Sequence, residues 1–216
     1  AFEEAIKRVQ SDPNFHNKKT IVLFDKNWHK GIIGIVASQL VEFFYKPTMV
    51  FTESNGLYTG SARSIKDFDL YQAVESCSHL LEHFGGHKYA AGMSLKSDNF
   101  QTLCKHFEEV ASKTLTEDMM IPEIEIDDTI EFSDITPKFI KTLKQFAPFG
   151  PGNMSPIFHT KNTYDTGHSR PIGNNHLKLN ITQAEFRGMG FDAIAFNFAH
   201  LFSKFHDERK PAQICY

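Results

Sequence analysis

Phe84-Gly85-Gly86-His87-Lys88-Tyr89-Ala90-Ala91-Gly92 sets two adjacent glycines, a histidine and a run of small residues between two apolar segments. Consecutive glycines let the backbone take positive φ and come close to a ligand, and turned backbone amides form a concavity suited to an anion. His87 then stands where an oxygen-rich ligand would arrive, while Ala90, Ala91 and Gly92 keep the following strand slim. The plain structural alternative is a tight helix-to-strand connection with Gly85 as the C-cap. Upstream, Asp69 is placed to cap a helix whose apolar stripe is Leu70, Ala73, Val74, Cys77, Leu80, Leu81 and Phe84. Downstream, Ala90 to Leu95 reads as a strand, and Ser97 or Asp98 caps a second helix with the stripe Phe100, Leu103, Cys104, Phe107, Val110 and Leu115.

Two more segments carry the same chemistry. Gly60-Ser61-Ala62-Arg63-Ser64 ends the strand-like run from Leu57 and precedes a helix. Arg63 offers a planar fork of donors that fits phosphate or carboxylate, and Ser61 and Ser64 add hydroxyls. Trp28-His29-Lys30-Gly31-Ile32-Ile33-Gly34-Ile35-Val36-Ala37 opens an apolar helix running to Tyr45, whose free N–H groups favour an anion. With short buried strands at 20–24 and 48–52 on either side of that helix, the alternation of strand and helix predicts an α/β unit.

Composition sets the remaining bounds. The 216 residues suit one large or two ordinary domains, and 41% hydrophobic content supports real cores. Twenty-one phenylalanines against one tryptophan fall mostly at periodic positions, which reads as core with a few left exposed. No run of about 18 apolar residues spans a membrane. Cys77, Cys104 and Cys215 are odd in number and widely spaced, against a disulfide framework or a four-cysteine zinc site and in keeping with a reducing cytoplasm. The net charge of −3 conceals a layout. Residues 1–115 balance 13 bases against 13 acids, residues 116–135 hold eight acids and no base, and residues 136–216 hold ten bases and five acids. A basic C-terminal region is the electrostatic footprint of a nucleic-acid module. Periodicity ends and a proline follows at 116–122, the expected boundary. Beyond it, strand-like residues from Ile124 to Phe132, a short helix capped by Thr136-Pro137, and strands at 157–160, 177–181 and 191–198 predict a small barrel.

The motifs Trp28 to Ser38, Gly60 to Ser64 and Gly85 to Gly92, in this order, resemble the DHHA1 domain of RecJ-type single-stranded-DNA exonucleases over about residues 20–115. A looser resemblance continues through Pro148-Phe149-Gly150-Pro151-Gly152-Asn153, His176 to Leu179 and Phe191 to Phe196, which match the OB-fold segment of such enzymes. The resemblance implies an α/β DHHA1-type substrate-binding domain with a helical lead-in over 1–116, then a small OB-like β-barrel with a short helix over 122–216. It implies a piece of a 5′-to-3′ exonuclease of DNA repair and recombination, a cytoplasmic protein. Single-stranded DNA and an N-terminal DHH domain would be its partners, and that domain would bind Mn²⁺ or Mg²⁺. No Asp-His-His triplet occurs in this chain, so no metal site and no hydrolysis by the piece alone are expected. Ser61, Arg63 and Ser64 would grip a backbone or terminal phosphate, Gly85 and Gly86 would permit close approach, His87 would assist at a phosphate oxygen near the scissile bond, and His29 would be a further donor.

Other readings stand beside this one. DHHA1 domains also occur in phosphodiesterases of short oligonucleotides or cyclic dinucleotides, and a non-catalytic nucleic-acid-binding module is a third possibility. His79 and His83, four apart on the expected helix, have the spacing of a metal pair, with Glu82 nearby but no third ligand evident. Phe149 to Asn153 lacks the Lys-Ser/Thr of a phosphate loop and reads as a rigid turn.

Overall fold

In the computed structural model the described residues are 1–150, 152–173, 175–184, 190–206 and 210–216, which leaves Pro151 of the 147–156 turn outside the description. The chain divides into two compact units, Ala1–Glu123 and Ile124–Tyr216.

The first unit opens with helix α1 (Phe2–Gln10) and strand β1 (Ile21–Phe24). Helix α2 (Ile33–Phe44) then crosses to β2 (Thr48–Ser54), which pairs parallel with β1. A two-residue turn, Asn55-Gly56, with both residues at positive φ, leads into β3 (Leu57–Arg63), the backbone such hairpins select Asn-Gly to supply. Helix α3 (Leu70–Ser76) is capped by Asp69, whose carboxylate accepts from Gln72 N at 3.1 Å. Strands β4 (His83–His87) and β5 (Ala90–Leu95) and helix α4 (Phe100–Thr114) complete the unit. The sheet order is β1-β2-β3-β5-β4.

Alternation along the strands separates two faces. Met49, Phe51, Ala62, Ala91, Met93 and Leu95 are buried on one, in a core shared with Leu70 and Val74 of α3 and Leu103 and Phe107 of α4. Each large side chain buried there contributes about 1.5–3 kcal/mol. On the other face, Ile21 and Val50 pack with Ala5, Val9, Val36, Ala37 and Leu40 of α1 and α2. Those helices contact the β1 to β3 part of the sheet, and the β5 and β4 part of this face is left open.

The expected helix from Asp69 to Phe84 is corrected. The helix stops at Ser76, a 3₁₀ turn occupies Ser78–Leu80, and His83–His87 is a strand. Glu82 N already donates to Ser94 O at 2.8 Å, so pairing with β5 outcompetes another helical turn. The apolar stripe is satisfied anyway, because Leu80, Leu81 and Phe84 pack on the same core from the new backbone. Gly85 is therefore not a helix C-cap, and His79 and His83 share no helix; the His79 ring instead lies 5.8 Å from that of His106.

In the second unit only Asp128–Thr129 (β6) of the expected Ile124 to Phe132 strand joins a ladder, parallel to β7 (Phe158–Asp165). Ile124 and Ile126 are exposed, whereas Ile130 and Phe132 are buried. Helix α5 (Pro137–Leu143) starts where Thr136 Oγ1 accepts from Phe139 N at 3.1 Å. β8 (Arg170–Ile172), β9 (His176–Gln183), β10 (Phe191–Ala195), the single helical turn α6 (Phe202–Phe205) and β11 (Ala212–Cys215) follow. The strand path is β10-β9-β7-β11, with β6 on β7 and β8 on β9. Among the described residues no pairing closes it, so the expected barrel is corrected to an open sheet with strands of two and three residues at β6 and β8. Phe132, Leu177, Leu179 and Ile181 form its core.

Candidate nucleic-acid interface

The sheet register of the first unit assembles the site. Arg63 lies opposite Ala90, which lies opposite His87; one step along, Ser61 lies opposite Gly92, which lies opposite Gly85. Directly paired residues project to one face, so Arg63, Ser61 and His87 overlook a floor made of Ala90, Gly92 and Gly85. A Cβ added to Gly85 or Gly92 would meet no atom within 4 Å, so the floor is bare backbone beneath open space. Gly86 points the other way and is required by sterics. At φ +155°, a Cβ there would sit 2.2 Å from Ala90 O. Gly60 is likewise structural, since its Cβ would strike the Phe51 ring at 2.2 Å.

Arg63 is held at the end of β3. Its Nη1 donates to Ser61 Oγ at 2.9 Å and to Ala62 O at 2.8 Å. Nη2 and Nε have no partner among the described residues, which leaves one edge of the fork for a ligand. Gly34, in the first turn of α2, lets this happen: a Cβ there would lie 3.0 Å from Arg63 Nη2 and 3.1 Å from Ser61 Oγ. The Trp28 and Gly60 motifs, more than twenty residues apart, thus meet at one point.

Both histidines are set as donors. Gly31 N donates to His29 Nδ1 at 3.0 Å, and Tyr89 N donates to His87 Nδ1 at 3.3 Å. In each neutral ring Nε2 therefore carries the hydrogen and is free to give it. The loop bearing His29 is bolted down from behind. Trp28 Nε1 donates to Glu4 Oε2 at 3.1 Å, with the Arg8 guanidinium 5.3 Å from the indole centre. Asp25 accepts from Asn27 N and pairs with Arg8, and these contacts hold its carboxyl below the usual carboxylate range despite desolvation. Ser64 is differently used: its Oγ donates to Phe68 O at 2.7 Å and fastens the turn after β3. Of Ser61, Arg63 and Ser64, the first two are joined to each other, and Ser64 is engaged elsewhere.

The second unit carries a wider charged surface. Outward positions of β8, β9 and β10 bring together Arg170, Lys178 and Ile194 by register, and His168 and Asn180 join Arg170 and Lys178 around a basin of about 450 Å³. Phe196 is 65% exposed beside them, its ring 5.4 Å from that of His176. Sequence counting found the basic excess but not this face, because β8 spans only three residues and leaves little periodic signal. The 147–156 turn closes on itself: Gly150 and Asn153 exchange backbone bonds of 2.8 Å, and Asn153 Nδ2 donates to Phe146 O and Pro148 O. No group of three or more His, Cys, Asp or Glu among the described residues is placed to hold a metal, and no helix among them is long and apolar enough to cross a membrane.

Comparison with known proteins agrees with this division. Residues 17–113 match the DHHA1 domain, and residues 126–216 match the RecJ OB domain. Fold and site define an α/β DHHA1 domain followed by an OB-type domain. Over 203 residues, 92% of this chain and 25% of the relative, the sequence is 36% identical to the single-stranded-DNA-specific exonuclease RecJ of Bacillus subtilis. It is 29% identical to that of Escherichia coli over 82% of this chain and 31% of the relative. Crystal structures of Thermus thermophilus RecJ in complex with Mn²⁺ and with Mg²⁺ superpose with TM-scores of 0.68 and 0.66 at 27% identity, over 88% and 83% of this chain and 27% of theirs. The chain belongs to the RecJ family and spans about a quarter to a third of the length of these relatives.

Proposed function

We propose that this chain is the substrate-holding part of a single-stranded-DNA-specific exonuclease that works from the 5′ end in DNA repair and recombination, in the cytoplasm. The observation that carries the proposal is the convergence of Arg63, Ser61 and Gly34 on the same open sheet face as His87. Arg63 supplies its free guanidinium edge to a backbone or terminal phosphate, Ser61 steadies the guanidinium, and the bare floor at Gly85 and Gly92 lets the sugar-phosphate chain lie close. His87, and His29 from the loop before α2, donate through Nε2 to phosphate oxygens. Gly86 sets the strand that carries His87.

A DHH domain of the whole protein would hold Mn²⁺ or Mg²⁺, the ions present in the crystal structures of Thermus thermophilus RecJ. A divalent ion there would activate water and polarise the phosphate. This chain's residues orient the strand and steady the charge on its phosphate oxygens. The basic outer face at Arg170 and Lys178, with Phe196 exposed beside it, holds further nucleotides by charge and stacking. A fluorescence-anisotropy titration of this chain with single-stranded and duplex oligonucleotides tests the proposal. Preference for the single strand, reduced by Arg63→Lys, is expected; equal or tighter duplex binding overturns it.

A further inference from the structure

The hairpin tip between β4 and β5 is tied to its surroundings by hydrogen bonds beyond those of the hairpin itself. Lys88 O accepts from Leu70 N at 3.0 Å, Tyr89 O accepts from Ser64 N at 3.0 Å, and Tyr89 N donates to His87 Nδ1 at 3.3 Å. The tip is thereby fastened to the start of α3, to the residue following Arg63, and to the His87 ring. On this fixed tip the Tyr89 side chain is 48% exposed. Its ring lies 6.4 Å from the His87 ring, inclined at 70°, and Lys88 Nζ lies 5.5 Å from its centre. Held by its backbone, the ring is presented without the entropy cost of ordering a mobile loop.

We propose that Tyr89 is the stacking platform for the nucleobase of the nucleotide whose phosphate Arg63 and His87 hold, and that it makes the site select unpaired strands. The inference rests on the phosphate-binding reading of Arg63 and His87. The ring-to-ring distance places Tyr89 within one nucleotide of the His87 Nε2 donor. A flat aromatic accepts any base, because every base has a π-face, so the platform sets no sequence preference. It does discriminate pairing: inside a duplex both faces of a base are already stacked on its neighbours, and only an unstacked base offers a face to Tyr89.

The test uses this chain with 5′-phosphorylated deoxyoligonucleotides that are complete or carry one abasic site at the first, second or third nucleotide. Wild type, Tyr89→Phe, Tyr89→Ala and Arg63→Lys are compared by anisotropy, with thermal melting of each. On the complete strand Tyr89→Ala should bind about tenfold more weakly and Tyr89→Phe within about twofold of wild type, the ring being what matters. One abasic position should weaken wild type to the level of Tyr89→Ala, and there Tyr89→Ala should cost nothing more. Unchanged affinity of Tyr89→Ala on the complete strand, an equal loss at all three abasic positions, or a lowered melting temperature that accounts for the loss overturns the role of Tyr89. If Arg63→Lys leaves affinity unchanged, the phosphate site itself fails and this inference with it. If Arg63→Lys weakens binding and Tyr89→Ala does not, only the platform fails.

Discussion

The two units display their cationic groups by different means. In the first, one guanidinium edge and the His87 imidazole stand over a floor of glycine backbone, with Arg63 held on Ser61 and Ala62 and the His87 ring fixed through Nδ1. In the second, cations and exposed apolar groups are spread over an outer sheet face, and Lys178 is half-engaged with Asp192 at 3.3 Å. A point grip depends on angles and fails with small displacements. A charged, partly aromatic face depends on the number of contacts and degrades gradually. The glycines show the contrast most sharply, because adjacent Gly85 and Gly86 serve opposite faces of β4.

The largest expected effect separates those two glycines. Gly86→Ala forces a Cβ against Ala90 O and Ala91, so it should destabilise the first unit by about 3 kcal/mol in urea unfolding. Gly85→Ala meets open space, and should leave stability within about 0.5 kcal/mol while weakening single-strand binding by intruding on the floor. Equal destabilisation by both would remove the distinction between a steric glycine and a floor glycine.

Next come the side chains proposed to hold the phosphate, tested in a full-length RecJ-type exonuclease carrying this sequence. Arg63→Lys keeps the charge and loses the planar fork, at a cost of about 1.5–3 kcal/mol, roughly ten- to a hundred-fold in kcat/KM. His87→Ala should lose at least as much, and more in kcat than in KM if it touches the reacting phosphate. Melting temperatures should barely change, since His87 is exposed and Arg63 half-exposed. Near-normal rates in both variants would reduce the Gly-Gly-His segment to a structural hairpin.

Much of this was legible in the sequence because it is local. The three motifs, the α2 crossover and the strand at Ala90 to Leu95 follow from patterns within about fifteen residues. What escaped was tertiary. Leu80, Leu81 and Phe84 satisfy a helical stripe equally well from a 3₁₀ turn and a strand, so periodicity could not show that β5 would claim Glu82 to His87. That Gly34 shelters Arg63, or that Ser64 turns inward to Phe68 O, needs the packing of α2 on β3 and the path of the following turn. The short β6 and β8 likewise gave too few residues to reveal an open sheet.

The basic face should respond to salt rather than to geometry. Affinity for single strands should fall with a log–log slope of roughly −0.7 per phosphate contacted. Removing Arg170 and Lys178 together should flatten the slope by about 1.4, while Gly85→Ala should weaken binding at unchanged slope. A slope indifferent to the loss of both cations would move the strand off this face.

The smallest effect links that face to pH through Asp165. Its buried carboxylate accepts from Gly167 N, Ser169 N and Ser169 Oγ and pairs with His206 Nδ1 at 2.7 Å, thereby folding the loop that presents His168 and Arg170. Burial alone would push this carboxyl up, but the hydrogen bonds from Ser169, His206 and Gly167 together outweigh burial and hold it below the usual range. A carboxyl lowered by folding gives stability that is complete above its unfolded value of about 3.9 and is lost as pH falls through the lower folded value. The second unit should therefore be indifferent to this group between pH 7 and 5 and should lose on the order of 1 kcal/mol below about pH 4. Asp165→Asn should forfeit a similar amount at pH 7 and show a shallower acid limb, with weaker binding at the basic face and the Arg63 grip untouched. Urea unfolding of both proteins from pH 7 to 3 decides it: parallel acid limbs would mean that Asp165 neither anchors the loop nor couples the basic face to protons.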